Sequence, residues 1–141
     1  MSLTDRGLYW DLPIIGFEVL QVLFSGRLAI SAYGQAFTGE AAPTTQISLG
    51  GPFVYVTPES EELHLDASGD WQYLTPMLGL RGARIVQAQA GHESNLLITF
   101  ENPLVALIVV PDAKYENWEI SGPGRLNLVS PPGGGDPRIA T

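Results

Sequence analysis

One short phrase occurs twice in this chain. Gly16-Phe17-Glu18-Val19-Leu20-Gln21-Val22 returns 66 positions later as Gly82-Ala83-Arg84-Ile85-Val86-Gln87-Ala88. Each copy leads into a second apolar run, Leu28-Ala29-Ile30 and Leu96-Leu97-Ile98, and a third follows each. The second copy carries two more residues in its first turn, so the offset grows to 68. The shared order, the shared Gly and the shared Gln favour a duplicated β unit over coincidence among Val-rich strands. Duplication over about 14–57 and 80–111 restricts the fold. Two similar three-strand units, related by a pseudo-twofold, form either one sheet or two facing sheets.

The rest of the chain fits a mainly β, α+β reading with one short helix. Sixteen Gly and 11 Pro punctuate short apolar runs, the pattern of strands joined by turns. The first unit reads as Phe17 to Phe24, Arg27 to Tyr33 and Thr44 to Leu49, with a tight turn at Ser25-Gly26 and a mobile loop over 34–43. Thr45, Ile47 and Leu49 share one face, as do Phe53 and Tyr55 in the run that follows Gly50-Gly51-Pro52. Glu61 to Asp66 pairs with that run as an edge strand. Asp70 to Leu78 is the helix, capped by Ser68 or Asp70, with Trp71, Leu74 and Leu78 on its apolar face. Pro76 shortens or kinks it and Gly79 ends it. Arg84 to Ala90, Asn95 to Glu101 and Leu104 to Val110 form the second unit. Asp112 to Asn117 is a turn or a single helical turn. Trp118 to Ser121 and Leu126 to Ser130 flank Gly122-Pro123-Gly124 as a C-terminal hairpin. Residues 1–134 make one domain, and 135–141 read as a flexible tail.

Charge narrows the partners. The 141 residues carry 15 acidic against 7 basic side chains, a net charge of -8. Phosphate backbones and anionic lipid surfaces both need cationic neutralisation, so neither nucleic acid nor membrane is expected. A basic protein is favoured, because opposite fields speed encounter. With no Cys there is no disulfide, thiolate nucleophile or Cys-based metal site, which fits a reducing cytoplasm. Met1 to Trp10 lacks the cationic and apolar segments of a signal peptide. The longest apolar run, Leu104 to Val110, has strand length and falls short of a membrane span.

No constellation points to catalysis. His64 and His92 have no second His at ligand spacing and read as solvated surface residues. Gly133-Gly134-Gly135 lacks the helix and Lys of a phosphate loop, and no nucleophile elbow is present. The densest acidic group is Glu59, Glu61, Glu62, Asp66 and Asp70. It lacks the interleaved register of a calcium loop. It reads as a solvated edge guarded against aggregation or as a docking face for a basic partner. In Tyr115-Glu116-Asn117-Trp118-Glu119, Trp118 is either an exposed interface anchor or a core plug whose indole N–H meets a carbonyl.

A resemblance rests on Tyr9-Trp10-Asp11-Leu12-Pro13-Ile14-Ile15-Gly16, Gly51-Pro52-Phe53, the phrase from Pro111 through Tyr115-Glu116-Asn117-Trp118-Glu119-Ile120-Ser121-Gly122-Pro123, and Leu128-Val129-Ser130 with Pro132-Gly133-Gly134. Together they resemble a family of small bacterial proteins of uncharacterised function, common in actinobacteria. The resemblance spans about Tyr9 to Gly134 and supplies no catalytic residues. In that family Pro-Gly-Gly leads straight into a final strand. Here Gly135-Asp136-Pro137-Arg138 intervenes before Ile139. Size and acidity are similar to those of immunity proteins encoded beside bacterial toxins.

The expected function is therefore non-enzymatic protein binding, without metal or cofactor. Glu59, Glu61, Glu62, Asp66, Asp70 and Trp118 would contact a basic partner such as a toxin domain. The alternatives are a self-associating domain that pairs edge strands as a homodimer, and a small-ligand site near Gln21 and Gln87.

Overall fold

Alternation builds the strands of the computed structural model, which describes residues 3–35, 39, 41–114 and 116–140. In chain order they are β1 (Thr4–Asp5), β2 (Tyr9–Asp11), β3 (Glu18–Phe24), β4 (Leu28–Tyr33), β5 (Thr44–Leu49), β6 (Pro52–Val56) and β7 (Glu62–Asp66). A 3₁₀ helix, Trp71–Leu80, comes next. After it come β8 (Arg84–Gly91), β9 (Leu96–Glu101), β10 (Val105–Val109), β11 (Trp118–Ser121), β12 (Asn127–Val129) and β13 (Arg138–Ala140). Leu28, Ile30 and Ala32 of β4 are buried at every second position. So are Ile47 and Leu49 of β5, Leu96, Ile98 and Phe100 of β9, and Val105, Leu107 and Val109 of β10. Each of the Val, Leu, Ile and Phe side chains contributes about 1.5–3 kcal/mol by leaving water, and all of them join one core. The loop expected over 34–43 falls partly on residues outside the described set, and Tyr115 lies outside it too.

All strands belong to a single antiparallel sheet that does not close, with order β13-β12-β11-β5-β4-β3-β8-β9-β10-β6-β7. The two meanders, β3-β4-β5 and β8-β9-β10, meet back to back at its centre. Their junction is the repeated phrase. Gly16 N–H donates to Ile85 C=O at 2.7 Å, and Gly82 N–H donates to Val19 C=O at 2.8 Å. Ile85 N–H donates to Phe17 C=O and Val19 N–H to Ala83 C=O, both at 2.8 Å. Every bond maps onto its counterpart by the same 66-residue offset, and Glu18 pairs with Arg84, its own equivalent. The pseudo-twofold passes through that pair. Both first strands also carry a bulge at the same place, between Val19 and Gln21 and between Ile85 and Gln87.

The outer hairpins are exchanged between the halves. β6-β7 follows the first meander but pairs with β10 of the second. β11-β12 follows the second meander but pairs with β5 of the first. The two crossing connections meet at Asn117. Its buried side-chain amide donates to Val110 C=O at 2.7 Å and to Pro52 C=O at 3.1 Å, while Gly50 N–H donates to Asn117 C=O at 2.8 Å. Gly51 makes room for it: a Cβ there would lie 2.7 Å from Asn117 Oδ1.

Two expectations need correction. The helix is not α-helical, and its inward face is Leu74, Met77 and Leu80, while Trp71 and Leu78 are exposed. In an α-helix the Pro76 ring would strike the carbonyl of Gln72. The tighter 3₁₀ form repeats every three residues, which is the spacing of the buried set. Asp70 caps it, accepting from Gln72 N–H at 3.0 Å, and the helix runs through Gly79 to Leu80. The segment read as a flexible tail contributes β13, with Leu128 opposite Ile139. The hairpin expected around Gly122-Pro123-Gly124 is present as β11-β12.

Gly16 and Gly82 have φ of 88° and 86°, and a Cβ at either would meet nothing within 4 Å. Replacing either by Ala therefore costs only the left-handed backbone penalty, about 1–2 kcal/mol. Urea unfolding of Gly16→Ala and Gly82→Ala should show this loss for both, and of equal size, because the two positions are equivalent.

Candidate functional site

The acidic residues gather on one end of the sheet. Among the described residues β7 is the terminal strand and pairs only with β6, from Pro52 opposite Asp66 to Val56 opposite Glu62. Leu63 and Leu65 pack against the core, so the alternation turns Glu62, His64 and Asp66 to solvent. The turn before it is closed by Thr57 N–H to Glu61 C=O at 2.9 Å and Glu61 N–H to Thr57 Oγ1 at 3.1 Å. Glu59 and Glu61 are exposed on this turn.

Two of the five carboxylates have structural duties. Asp66 Oδ1 accepts from Ser68 N–H at 2.9 Å and from Ser68 Oγ at 2.7 Å, and Asp70 caps the helix. Among the described residues Glu59, Glu61 and Glu62 hold no such local side-chain bond, apart from a long 3.9 Å approach of Glu62 to His64 Nε2. Among the described residues no group of three His, Asp or Glu forms a metal-binding arrangement. Directly after Asp70 the helix turns two aromatics outward, Trp71 at 59% and Tyr73 at 74% exposure. An α-helical reading placed Trp71 on the buried face and so hid it; the 3₁₀ period accounts for its exposure.

Trp118 belongs to the core. It is fully buried at the start of β11, and its indole N–H donates to Ser94 C=O at 2.7 Å. It plugs the sheet and offers a partner nothing, so it leaves the binding set. The two glutamines occupy equivalent positions in different surroundings. Gln21 is exposed and lines an open cleft that does not include Gln87. Gln87 accepts from Thr99 Oγ1 at 3.1 Å on the neighbouring strand.

His92 is not a solvated surface residue. Its Nδ1 lies 2.8 Å from Asp136 and its Nε2 3.1 Å from Asp5, while its ring lies 3.9 Å from that of Trp10. Two carboxylates on two ring nitrogens require both to donate, which is the imidazolium. The clasp joins β1, the β8–β9 turn and the segment before β13. Hydrogen bonds to Asp5 and Asp136 raise the His92 pKa above its ordinary 6.5. The Asp5 carboxyl is held low, first by Gly7 N–H and then by His92. A raised folded value means stabilisation that is complete below the unfolded value and lost as pH rises through the folded one. Asp5 adds the opposite limb, lost as pH falls through its lowered value. NMR titration should give His92 a pKa above 6.5. Amide protection of residues 4–11 and 136–140, corrected for intrinsic exchange, should fall as pH passes it, and His92→Gln should abolish that dependence.

No helix among the described residues is long and apolar enough to cross a membrane. Neither the curated proteins nor the solved structures contain a match to this chain. One family model does match, over residues 10–136, which takes in the central phrase, the acidic edge and both exchanged hairpins. The chain belongs to a family of unknown function, DUF6188.

Proposed function

We propose that this chain is a non-enzymatic protein-binding domain that captures a basic partner at the β7 end of its sheet. The carrying observation is that the terminal strand β7 has exposed carboxylates, Glu59, Glu61 and Glu62, at its entry turn, and is followed at its other end by a helix with Trp71 and Tyr73 turned outward. The two groups would divide the work. Carboxylates in a chain of charge -8 steer a cationic protein and raise the rate of encounter. Exposed aromatics bury large area at low entropy cost and set how long the complex lasts. An unpaired strand edge adds main-chain donors and acceptors to the same face.

The size, the acidity and the lack of Cys favour one form of this activity: an immunity-type inhibitor, acting in a bacterial cytoplasm, that covers a basic toxin domain. Inhibition would then be occlusion, needing no chemistry from the inhibitor.

The test is capture of a basic protein from native lysate by immobilised chain, in low and high salt. A cationic partner should bind at low salt and be released by 0.5 M salt, with retention reduced by the triple change of Glu59, Glu61 and Glu62 to Gln. Trp71→Ala should speed dissociation about tenfold or more with little change in the melting temperature, since Trp71 is 59% exposed. Absence of a salt-sensitive partner, or a partner indifferent to these changes, sinks the reading.

A further inference from the structure

The two halves differ at one equivalent edge. Beyond the central junction, β8 is covered by β2: Trp10 lies opposite Ala90, Asp11 opposite Gln89, and Leu12 N–H donates to Ala88 C=O at 3.0 Å. Shifted by 66 residues, the same stretch of β3 is Val22 to Phe24. Among the described residues no strand lies beside it, and pairing on that side stops at Glu18 and Val19.

The cause is the element before each repeated glycine. Ahead of Gly16 the chain is β2 followed by a turn over 13–16; ahead of Gly82 it is the 3₁₀ helix. Ile14 and its equivalent Leu80 are both buried, so each half is anchored alike. Leu12 is buried at 2%, whereas its equivalent Leu78 is 55% exposed. The helix thus stands off from β3 and leaves a cleft of about 420 Å³ lined by Leu20, Gln21, Val22, Leu78 and Arg81.

This edge also lacks the usual guards. β7 carries Glu62, His64 and Asp66 on its exposed face, and β13 is short and carries Arg138. From Leu20 to Gly26 there is no charged residue, and Leu20 and Leu23 are 55% and 48% exposed. The bulge at Leu20 ends before Gln21, so Val22 to Phe24 remain in regular register with β4. Arg81, at the rim, has no ion pair among the described residues.

We propose that this cleft receives one extended segment of a partner protein, which pairs with the outward backbone groups of Val22 and Phe24 as Tyr9 to Leu12 pairs with β8. The segment is apolar where Leu12 would be and carries a carboxylate within reach of Arg81. The internal precedent supplies the geometry: Ala88 C=O accepts from Leu12, and the N–H and C=O of one strand residue face the same side, so both groups of Val22 face the cleft. Leu78 and Arg81 at the helix end form the far wall of the cleft, opposite Leu20, Gln21 and Val22 of β3. This site is separate from the acidic edge and goes beyond the capture of a basic partner.

Fluorescence anisotropy of the full chain with a labelled peptide of residues 8–14, Leu-Tyr-Trp-Asp-Leu-Pro-Ile, tests it. Saturable binding is expected. Val22→Pro should weaken it at least tenfold, because it removes an outward N–H at an edge position where Pro is tolerated. Leu20→Asp, at an exposed side chain, should weaken it comparably and carries the test if Val22→Pro unfolds the chain. Arg81→Gln should cost about threefold, and Leu104→Asp, also exposed but on the far meander, should cost nothing. No saturable binding, or binding that Val22→Pro and Leu20→Asp leave intact, overturns the proposal. So does a chain that light scattering shows to be a dimer and that Leu20→Asp makes monomeric, since the edge would then belong to a second copy.

Discussion

Four backbone hydrogen bonds between Gly16–Val19 and Gly82–Ile85 hold the two halves in one sheet. They form because a glycine with positive φ precedes each first strand and turns the chain so that its next carbonyls and amides face their equivalents. Everything outward from that seam follows in pairs: bulge beside bulge, meander beside meander, then one hairpin on each flank. Without the seam each meander would present a bare edge, and the exchanged hairpins would have no common frame in which to cross. Asn117 then fixes the crossing, because its amide ties both connections to one side chain.

Much of this was legible in the residues. The repeat showed because its glycines answer to backbone geometry and its apolar residues to a period of two. The strands, the Asp70 cap and the C-terminal hairpin followed from the same local rules. The hairpin exchange was not legible: β5 and β10 present the same alternating apolar face, so either could accept either hairpin, and the choice rests on a tertiary contact at Asn117. The helix misled because Trp71, Leu74 and Leu78 fit a period of 3.6 as well as Leu74, Met77 and Leu80 fit a period of three. β13 was hidden because it is short and polar in surroundings. It is placed by Ser94 Oγ bonding to Gly135 C=O, by the His92–Asp136 contact and by pairing with β12.

Of the candidate site, the five carboxylates were legible as a cluster, and the structure separates their roles. Asp66 and Asp70 shape the backbone, which leaves Glu59, Glu61 and Glu62 as the exposed charges on β7 and the turn before it. The aromatic pair on the helix that follows β7 was obscured by the helix period, and Trp118 drew attention because a lone sequence word cannot say which side of a sheet it faces. The surface that results is divided by chemistry. One end of the sheet is acidic and suited to long-range attraction, while the cleft beside β3 is lined by Leu20, Gln21, Val22 and Leu78 with Arg81 at its rim and suited to short-range fit.

The exchanged hairpins have an implication for the origin of the chain. Each five-strand half lends its last two strands to the other, as subunits do in a strand-swapped homodimer. Joined by the helix in one polypeptide, the two halves make that exchange within a single chain. A single chain also lets its two halves differ. In a symmetric dimer the segment ahead of each repeated glycine would have to be the same, whereas here one became a strand and the other a helix.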